Sequence, residues 1–437
     1  MLDIKFIRDN KKEVAKAAKN KNIKIDLDAL LELDDQRKSL QKEIDTLRTQ
    51  RNEIAELLKD ASKRTPEVME KGKELKNGLA ALELRETDVL NEYNTLMLKV
   101  PNVYSKDTPV GKDDSENEVF STVGEPTTFA FEIKDHITLG KDLDILDLER
   151  GVKVGGFRGY FLKNEGALMH MAVLQYALAK LVAKGFTPMI PPIIVREEAM
   201  VNMGQFPAFR AETFKLSNAV PSTELGAGDH EIKEDRFLAG TSEVGLLNYY
   251  AGEIIDKASL PIKMCAYSQC YRSEVGSYGK DTKGIYRIHE FGKVEQVILC
   301  EADSEEGIKL HEELLKISEE ILSELGLPYR VLKICTGDMG AAKYRMYDLE
   351  AWMPSRNGYG ETHSDSFLTD WQSRRANIRY KDGDEIKFAY TLNNTAIASP
   401  RVLIALWENY QQADGSIVVP EVLRPYMGGK SLITKKK

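Results

Sequence analysis

Residues 33–58, LDDQRKSLQKEIDTLRTQRNEIAELL, carry the pattern that decides the architecture. Leu33, Arg37, Leu40, Ile44, Leu47, Arg51, Ile54 and Leu58 recur at alternating steps of four and three. That repeat keeps side chains along one seam of a long α-helix. The rhythm stops at Thr65-Pro66 and returns as Val68, Gly72, Leu75, Leu79, Leu82, Glu86, Val89, Tyr93, Leu96 and Val100. Proline is accepted in the first turn of a helix but not in its interior, so Pro66 marks a reversal and a new start. Two matched stripes joined by a short turn predict an antiparallel helical hairpin over residues 27–100, each arm about 50 Å long at the usual helical rise. A hairpin that buries one seam is no globule and is expected to project from a body. Arg37 and Arg51 interrupt the seam, where their stems can pack while their heads reach water. Periodicity alone also fits a coiled coil used for dimerisation or spacing. The tip sets Lys59, Lys63, Arg64, Lys71, Lys73 and Lys76 against Asp60, Glu67, Glu70 and Glu74, a slight bias toward a phosphate-bearing partner.

Pro101-Asn102-Val103 ends the second arm, and residues 106–119 read as a polar linker. Beyond them the pattern is mixed. A helix is expected over 168–184, ended by Gly185. Residues 186–192 are extended, since each proline biases its predecessor away from helix. Apolar β-prone runs lie at 262–271, 286–301, 344–353 and 387–392, with helices over 305–325 and 400–410. Strands separated by turns, rather than by a helix each time, predict an α+β body on an antiparallel β-sheet flanked by helices.

The 437 residues are too many for one ordinary core and suggest two or three domains. Hydrophobic content of 42% with 30% charged residues is that of a soluble globular chain. No apolar run is read as the roughly 18 residues of a membrane span, and the first residues hold no secretory signal, so a cytoplasmic location is expected. Cys265, Cys270, Cys300 and Cys335 have neither C-x-x-C nor zinc-finger spacing, so buried thiols are expected, with no disulfide and no zinc. His136, His170, His230 and His311 are scattered without ligand spacing and read as structural or exposed. Trp352 and Trp407 read as core. Sixty-one basic against 69 acidic residues give a net charge of −8, which argues against indiscriminate nucleic-acid binding. It leaves room for an RNA recognised by shape or by a local basic patch.

Residues 271–295, YRSEVGSYGKDTKGIYRIHEFGKVE, form the densest polar block. Strand-like runs flank a loop rich in glycine and charge, which predicts a hairpin with functional groups at its open end. Arg272 and Arg287 would offer rigid forks suited to phosphate oxygens. A structural ion-pair lattice is the alternative.

This block resembles motif two of the class II aminoacyl-tRNA synthetases and, within them, the seryl enzymes. Thr187-Pro188 through Pro191-Pro192 resembles motif one, the dimer interface of that family. Asn393-Asn394-Thr395 through Pro400-Arg401 and on to 406–411 resembles motif three. Leu238-Ala239-Gly240-Thr241-Ser242-Glu243 is similar to the seryl family's Thr-x-Glu loop. Blocks at 348–354, 371–375 and 419–427, the Ile4-Lys5-Phe6-Ile7-Arg8 start, the hairpin and Pro101-Asn102-Val103 also fit. The resemblance covers nearly the whole chain, and the ordered set carries it.

The resemblance implies a tRNA-binding domain over 1–108 with the hairpin as its arm, and a class II catalytic domain over 109–437. It implies activation of L-serine with ATP and transfer to the 3′ end of serine tRNA, with selenocysteine tRNA as a further candidate, by a homodimer that binds tRNA across subunits. For ATP it implies Arg272 on the α-phosphate, Glu274 near adenine, Arg287 near the phosphates, and Phe291 and Arg401 on opposite faces of the base. Ser273, Val294, Glu361, Thr362, His363 and Ser364 complete the ATP set, with Glu361 and Ser364 holding Mg²⁺. For serine it implies Thr241, Ser242, Arg272 and Glu243, the last on the ammonium, with Glu295 and Thr395 reading the hydroxyl. His289 would support the site.

Several positions depart from the family pattern. His363 stands where a small residue is usual, Thr395 replaces serine, Asn394 replaces a frequent glycine, and Glu290 replaces glutamine. Ser399-Pro400 stands for the small pair before Arg401, and residues 217–236 are longer than usual. No segment resembles an editing domain. Two other readings are a ligase that loads an amino acid onto a carrier protein and a non-catalytic RNA-binding paralogue. The arm counts against the first, and the presence of Arg272, Glu274 and Arg401 against the second.

Overall fold

A computed structural model describes residues 1–217, 235–275 and 283–435, and the backbone of 221–222 and 232–233. Most of the long stretch at 217–236, the loop tip at 276–282 and His230 lie outside the described residues. The chain divides into two compact units, Met1–Pro101 and Asn102–Lys437.

In the first unit, short helices α1 (Ile4–Asp9) and α2 (Lys11–Asn20) precede the long α3 (Leu27–Lys59) and α4 (Pro66–Met97). Asp26 caps α3 by accepting from the Asp28 and Ala29 N–H groups, and Thr65 caps α4 by accepting from Val68, with Pro66 in the first turn. Leu40, Ile44 and Ile54 of α3 and Leu75, Leu79 and Val89 of α4 are buried, as the seam requires. At Gly72 an added Cβ would lie 3.5 Å from Ile54, which fixes how the arms face each other. The two seam arginines part ways. Arg51 is exposed, while Arg37 lies over the Tyr93 ring at 4.8 Å.

The root of the hairpin holds a residue off the expected seam. Asp34 is fully buried and accepts from Arg8 (2.7 Å), Arg37 (2.6 Å) and Lys38 (2.6 Å), tying α1 to α3. Burial alone would raise its pKa, but the three cations outweigh burial and hold it below the ordinary carboxylate range. A lowered folded-state pKa means that the stabilisation is complete above the unfolded value of about 3.9 and lost as pH falls through the folded one. Asp34→Asn is expected to destabilise the hairpin by about 1–3 kcal/mol at neutral pH. Hydrogen exchange of α3 and α4 in the full chain measures this, and the gap from wild type should close as the medium is acidified below about pH 4.

The second unit is built on an eight-stranded sheet. Its strands are β1 (Glu118–Val123), β2 (Thr187–Met189), β3 (Ile262–Tyr271), β4 (Glu290–Cys300), β5 (Tyr329–Lys333), β6 (Arg345–Met353), β7 (Gly358–Thr369) and β8 (Tyr390–Ala398). Their order across the sheet is β1-β5-β6-β7-β8-β4-β3-β2, antiparallel throughout except where β2 joins β3. One face carries α5 (Asn164–Ala183) and α7 (Ser304–Glu324), against which Val294, Ile298, Leu392 and Ile397 pack. The other carries α6 (Glu243–Asn248), with Val297, Leu299, Met264 and Ala266 in a second cluster. Helix α8 (Arg401–Asn409) follows β8.

Two expectations need correction. The strand expected from 286 begins at Glu290, because the preceding residues turn; the Arg272 N–H to His289 carbonyl bond is one rung beyond the last strand pair, Tyr271 with Glu290. The run at 387–392 belongs to two strands, Glu385–Phe388 and β8. Phe388 pairs with Arg379 in a small three-stranded sheet, and the chain changes sheets at Ala389. Helix α5 is long and apolar enough, by length and composition, to cross a membrane. Its apolar residues Met169, Ala172, Val173, Ala177 and Leu181 are fully buried in the unit's core. All four cysteines are free and buried, and burial pushes the Cys265 thiol up to about 11.

Candidate functional site

Strand β4 supplies the floor of the site by simple alternation. Phe291, Lys293 and Glu295 point to one face, while Val294 and Ile298 point to the helix-covered core. Alternation fails for the neighbouring strands, because the polar residues there are three apart: Glu361 and Ser364 on β7, Thr395 and Ala398 on β8. Two β-bulges repair the parity. Leu349 opposes His363 and Glu350 opposes Glu361, so Thr362 is one extra residue on β7. Val294 opposes Ile397 and Glu295 opposes Thr395, so Ala396 is one extra residue on β8. An extra residue returns positions three apart to the same face. All four residues line one open cleft.

Arg272, Glu274, Arg287, Phe291, Thr362 and Arg401 line the same cleft, so two arginines 129 positions apart in the chain converge. Arg272 lies over the Phe291 ring at 5.5 Å. Arg401 donates to the Glu361 carboxylate (3.1 Å), the Glu361 carbonyl (3.0 Å) and the Tyr286 carbonyl (3.1 Å), and stacks over the Tyr286 ring at 4.5 Å. Burial would raise the Glu361 pKa, but Arg401, Arg272 and Arg287 together bring it below the ordinary range. Three guanidinium groups around two carboxylates make a space that favours an anion with several oxygens. Glu274, in the left-handed region at φ 55°, has a carboxylate oxygen 3.4 Å from Arg287 and 3.7 Å from the buried Arg158. His289 holds the Arg272 carbonyl at 3.0 Å through Nδ1.

Deeper polar groups lie on the same face of the sheet. Glu243, at the start of α6, accepts from Gln372 (2.7 Å) and Asn393 (2.8 Å). Ser242 bonds Ser268 (2.7 Å), and the Thr241 hydroxyl accepts from the Glu243 N–H (3.3 Å). Glu295 is ion-paired with Lys293, both buried. Burial raises the Glu295 pKa, with Lys293 pulling it back and Glu243 adding to the rise.

Of the residues expected to bind serine, Thr241, Ser242, Glu243 and Glu295 are not among the lining residues of the cleft, and three of those expected to bind ATP stand apart from its wall. The Val294 side chain is fully buried in the core behind the sheet. Ser273 donates its N–H to the Glu212 carbonyl and is not among the lining residues. His363 is buried behind the wall, and burial pushes its imidazole down to about 4. Lys293 and Tyr286 line the cleft although the sequence reading passed over them, and Arg158 buttresses Glu274. Lys293 was open to discovery, since it alternates with Phe291 and Glu295. Arg158 offered no such signal. Among the described residues the scattered histidines are structural: His136 bonds Glu408 at 3.0 Å, His170 bonds Ser399 at 2.7 Å, and His311 faces Asp365 at 3.3 Å.

Comparison with known proteins bears on the whole chain. Residues 1–104 match the seryl-tRNA synthetase N-terminal domain, and residues 223–410 match the class II tRNA synthetase core domain (G, H, P, S and T). A serine–tRNA ligase of Deinococcus radiodurans is 43% identical over 435 residues, covering 99% of both chains. One from Treponema denticola is also 43% identical, over 98% of this chain and 99% of its own. Among solved structures, seryl-tRNA synthetase from Pyrococcus horikoshii complexed with ATP superposes with a TM-score of 0.85 at 33% identity, covering both chains fully. The cytoplasmic serine–tRNA ligase of Naegleria fowleri in complex with AMP gives 0.84 at 30% identity over 100% of this chain. With residues 1–104 and 223–410 matched by these models and relatives of this similarity spanning its length, the chain belongs to the seryl-tRNA synthetase family.

Proposed function

We propose that the chain activates L-serine with ATP to seryl-adenylate and transfers the seryl group to the 3′ end of serine tRNA. The observation that carries this reading is the convergence of Arg272 and Arg401 on one cleft that adjoins buried carboxylates and a hydroxyl.

In the first step the serine carboxylate attacks the α-phosphorus of ATP, a P–O bond forms, and pyrophosphate leaves with the electron pair of the broken P–O bond. No protein nucleophile is needed. The chain contributes alignment and charge stabilisation. Arg272 takes the α-phosphate, Arg287 the outer phosphates, and Phe291 gives the adenine an apolar face beside Arg401. Glu274 meets the adenine edge, and Glu361, Thr362 and Ser364 close around the nucleotide. Glu243 meets the serine ammonium within the Thr241-Ser242-Glu243 loop, and Glu295 and Thr395 read the hydroxyl. In the second step a ribose hydroxyl of the terminal adenosine attacks the seryl carbonyl, and AMP leaves.

Glu361 and Ser364 would hold Mg²⁺ with ATP. Their fit rests on the bulge at Thr362, which brings a lowered-pKa carboxylate and a hydroxyl to one face. Among the described residues no group of three or more metal-ligand side chains forms. That suits an ion that takes one or two carboxylates and otherwise phosphates and water. When bound it would neutralise charge on the phosphate oxygens.

The hairpin serves as the tRNA-binding arm, reading backbone and shape. Pairing of two chains through the segment at 187–192 is supported by β2, an edge strand followed by Ile190, which is 93% exposed. The reading places the protein in the cytoplasm with its tRNA.

Arg272→Ala is expected to lower serine-dependent ATP–pyrophosphate exchange by about 10²–10³-fold. Near-normal exchange would move the phosphate site elsewhere. Shortening the hairpin to a stub is expected to spare exchange and abolish tRNA charging, and an equal loss of both would contradict the division of labour. Thr395→Val should cut discrimination of serine over alanine in exchange by about tenfold or more, because the substrate hydroxyl loses a partner.

A further inference from the structure

His363 belongs to the nucleotide-binding set that the family resemblance implies, yet its ring lies behind the cleft, between the two strands whose bulges shape it. A bulged residue drops out of the ladder, so its backbone groups need partners elsewhere. The paired register of β7 and β8 ends at Asp365 and Asn394. Past that point the His363 ring spans the gap. Its Nε2 is 2.9 Å from the carbonyl of Ala396, the extra residue of β8. Its Nδ1 is 2.8 Å from the hydroxyl of Thr362, the extra residue of β7. A carbonyl only accepts, so Nε2 carries the hydrogen and donates, and the single hydrogen of the Thr362 hydroxyl is shared between Nδ1 and the Leu349 carbonyl at 3.1 Å. The ring is 1% exposed, so water has no room to replace either bond.

We propose that His363 is a positioning residue, a clamp joining the two opposed bulges so that Glu361 and Ser364 on β7 and Thr395 and Ala398 on β8 face one space. The clamp couples the nucleotide side of the cleft, where Glu361 meets Arg401, to the hydroxyl-reading side, where Thr395 sits. A small residue in its place leaves the Ala396 carbonyl to another partner, so the clamp is particular to a chain with histidine here. This inference rests on the proposed function above.

The test uses a pair of similar shape in the full-length protein. His363→Gln keeps an N–H that reaches the Ala396 carbonyl, whereas His363→Met does not. In pyrophosphate exchange, His363→Met is expected to raise KM for both ATP and serine about tenfold, with His363→Gln returning both to within about threefold of wild type. Unchanged KM values in His363→Met would overturn the clamp. So would equal impairment of both variants with matched losses of melting temperature, since the ring would then merely fill space. If His363→Met does not fold, Thr362→Val removes the other bond. A rise of about threefold in KM for serine supports the clamp, and no rise overturns it. If wild type itself shows no serine-dependent exchange, the assigned reaction fails, and the clamp is read from ATP affinity by calorimetry on the same variants.

Discussion

A strand presents alternate side chains to a face, and the cleft obeys that parity only because it is broken twice. On β4 alternation suffices, and Phe291, Lys293 and Glu295 fall into line. On β7 and β8 the residues that make the site are spaced by three, and without an extra residue Glu361 or Thr395 would turn toward α7 and the core. Placing the bulges on adjacent strands also lets His363, beside the bulge of β7, satisfy the Ala396 carbonyl in the bulge of β8. Geometry and hydrogen-bond bookkeeping thus have one solution here.

Charge is organised around the same spot. Glu361 lines the cleft only partly covered, and three guanidinium groups hold its pKa below the ordinary carboxylate range. In return it holds Arg401 in place, so the cation need not be ordered when a polyanion arrives. Lys293 and Glu295 form a second, fully buried pair beneath, next to Glu243. A pair of this kind tolerates loss of either member poorly, which makes the floor of the site rigid at the cost of leaving little freedom to vary it.

Much of this was legible in the sequence, and the reasons differ by element. The hairpin was legible because one seam repeats over many turns and Pro66 can only start a helix. Its root was not, since Asp34 lies off the seam and its three cations come from two helices. The residues of the cleft were reached through the resemblance, Glu361 with Ser364 included, but the bulge that brings those two to one face was not, because nothing in a strand's composition announces an extra residue. Glu385–Phe388 and β8 were merged for a related reason: the chain changes sheets at a single alanine, without the glycine or proline that usually marks such a step. Helix α5 was legible as a helix, although hydropathy by itself does not distinguish a helix buried by protein from one buried by lipid.

That helix has a temporal consequence. Its apolar side rests on β3, β4 and β8, which lie roughly 80 to 230 residues further along the chain, whereas α3 and α4 pack against each other across a turn of a few residues. During synthesis the hairpin has its partner almost as soon as it emerges, while α5 must wait, greasy and unmatched, until the last strands are made. The amino-terminal unit and the sheet therefore run on different folding clocks, and the interval between them is when this chain has most need of chaperone shelter.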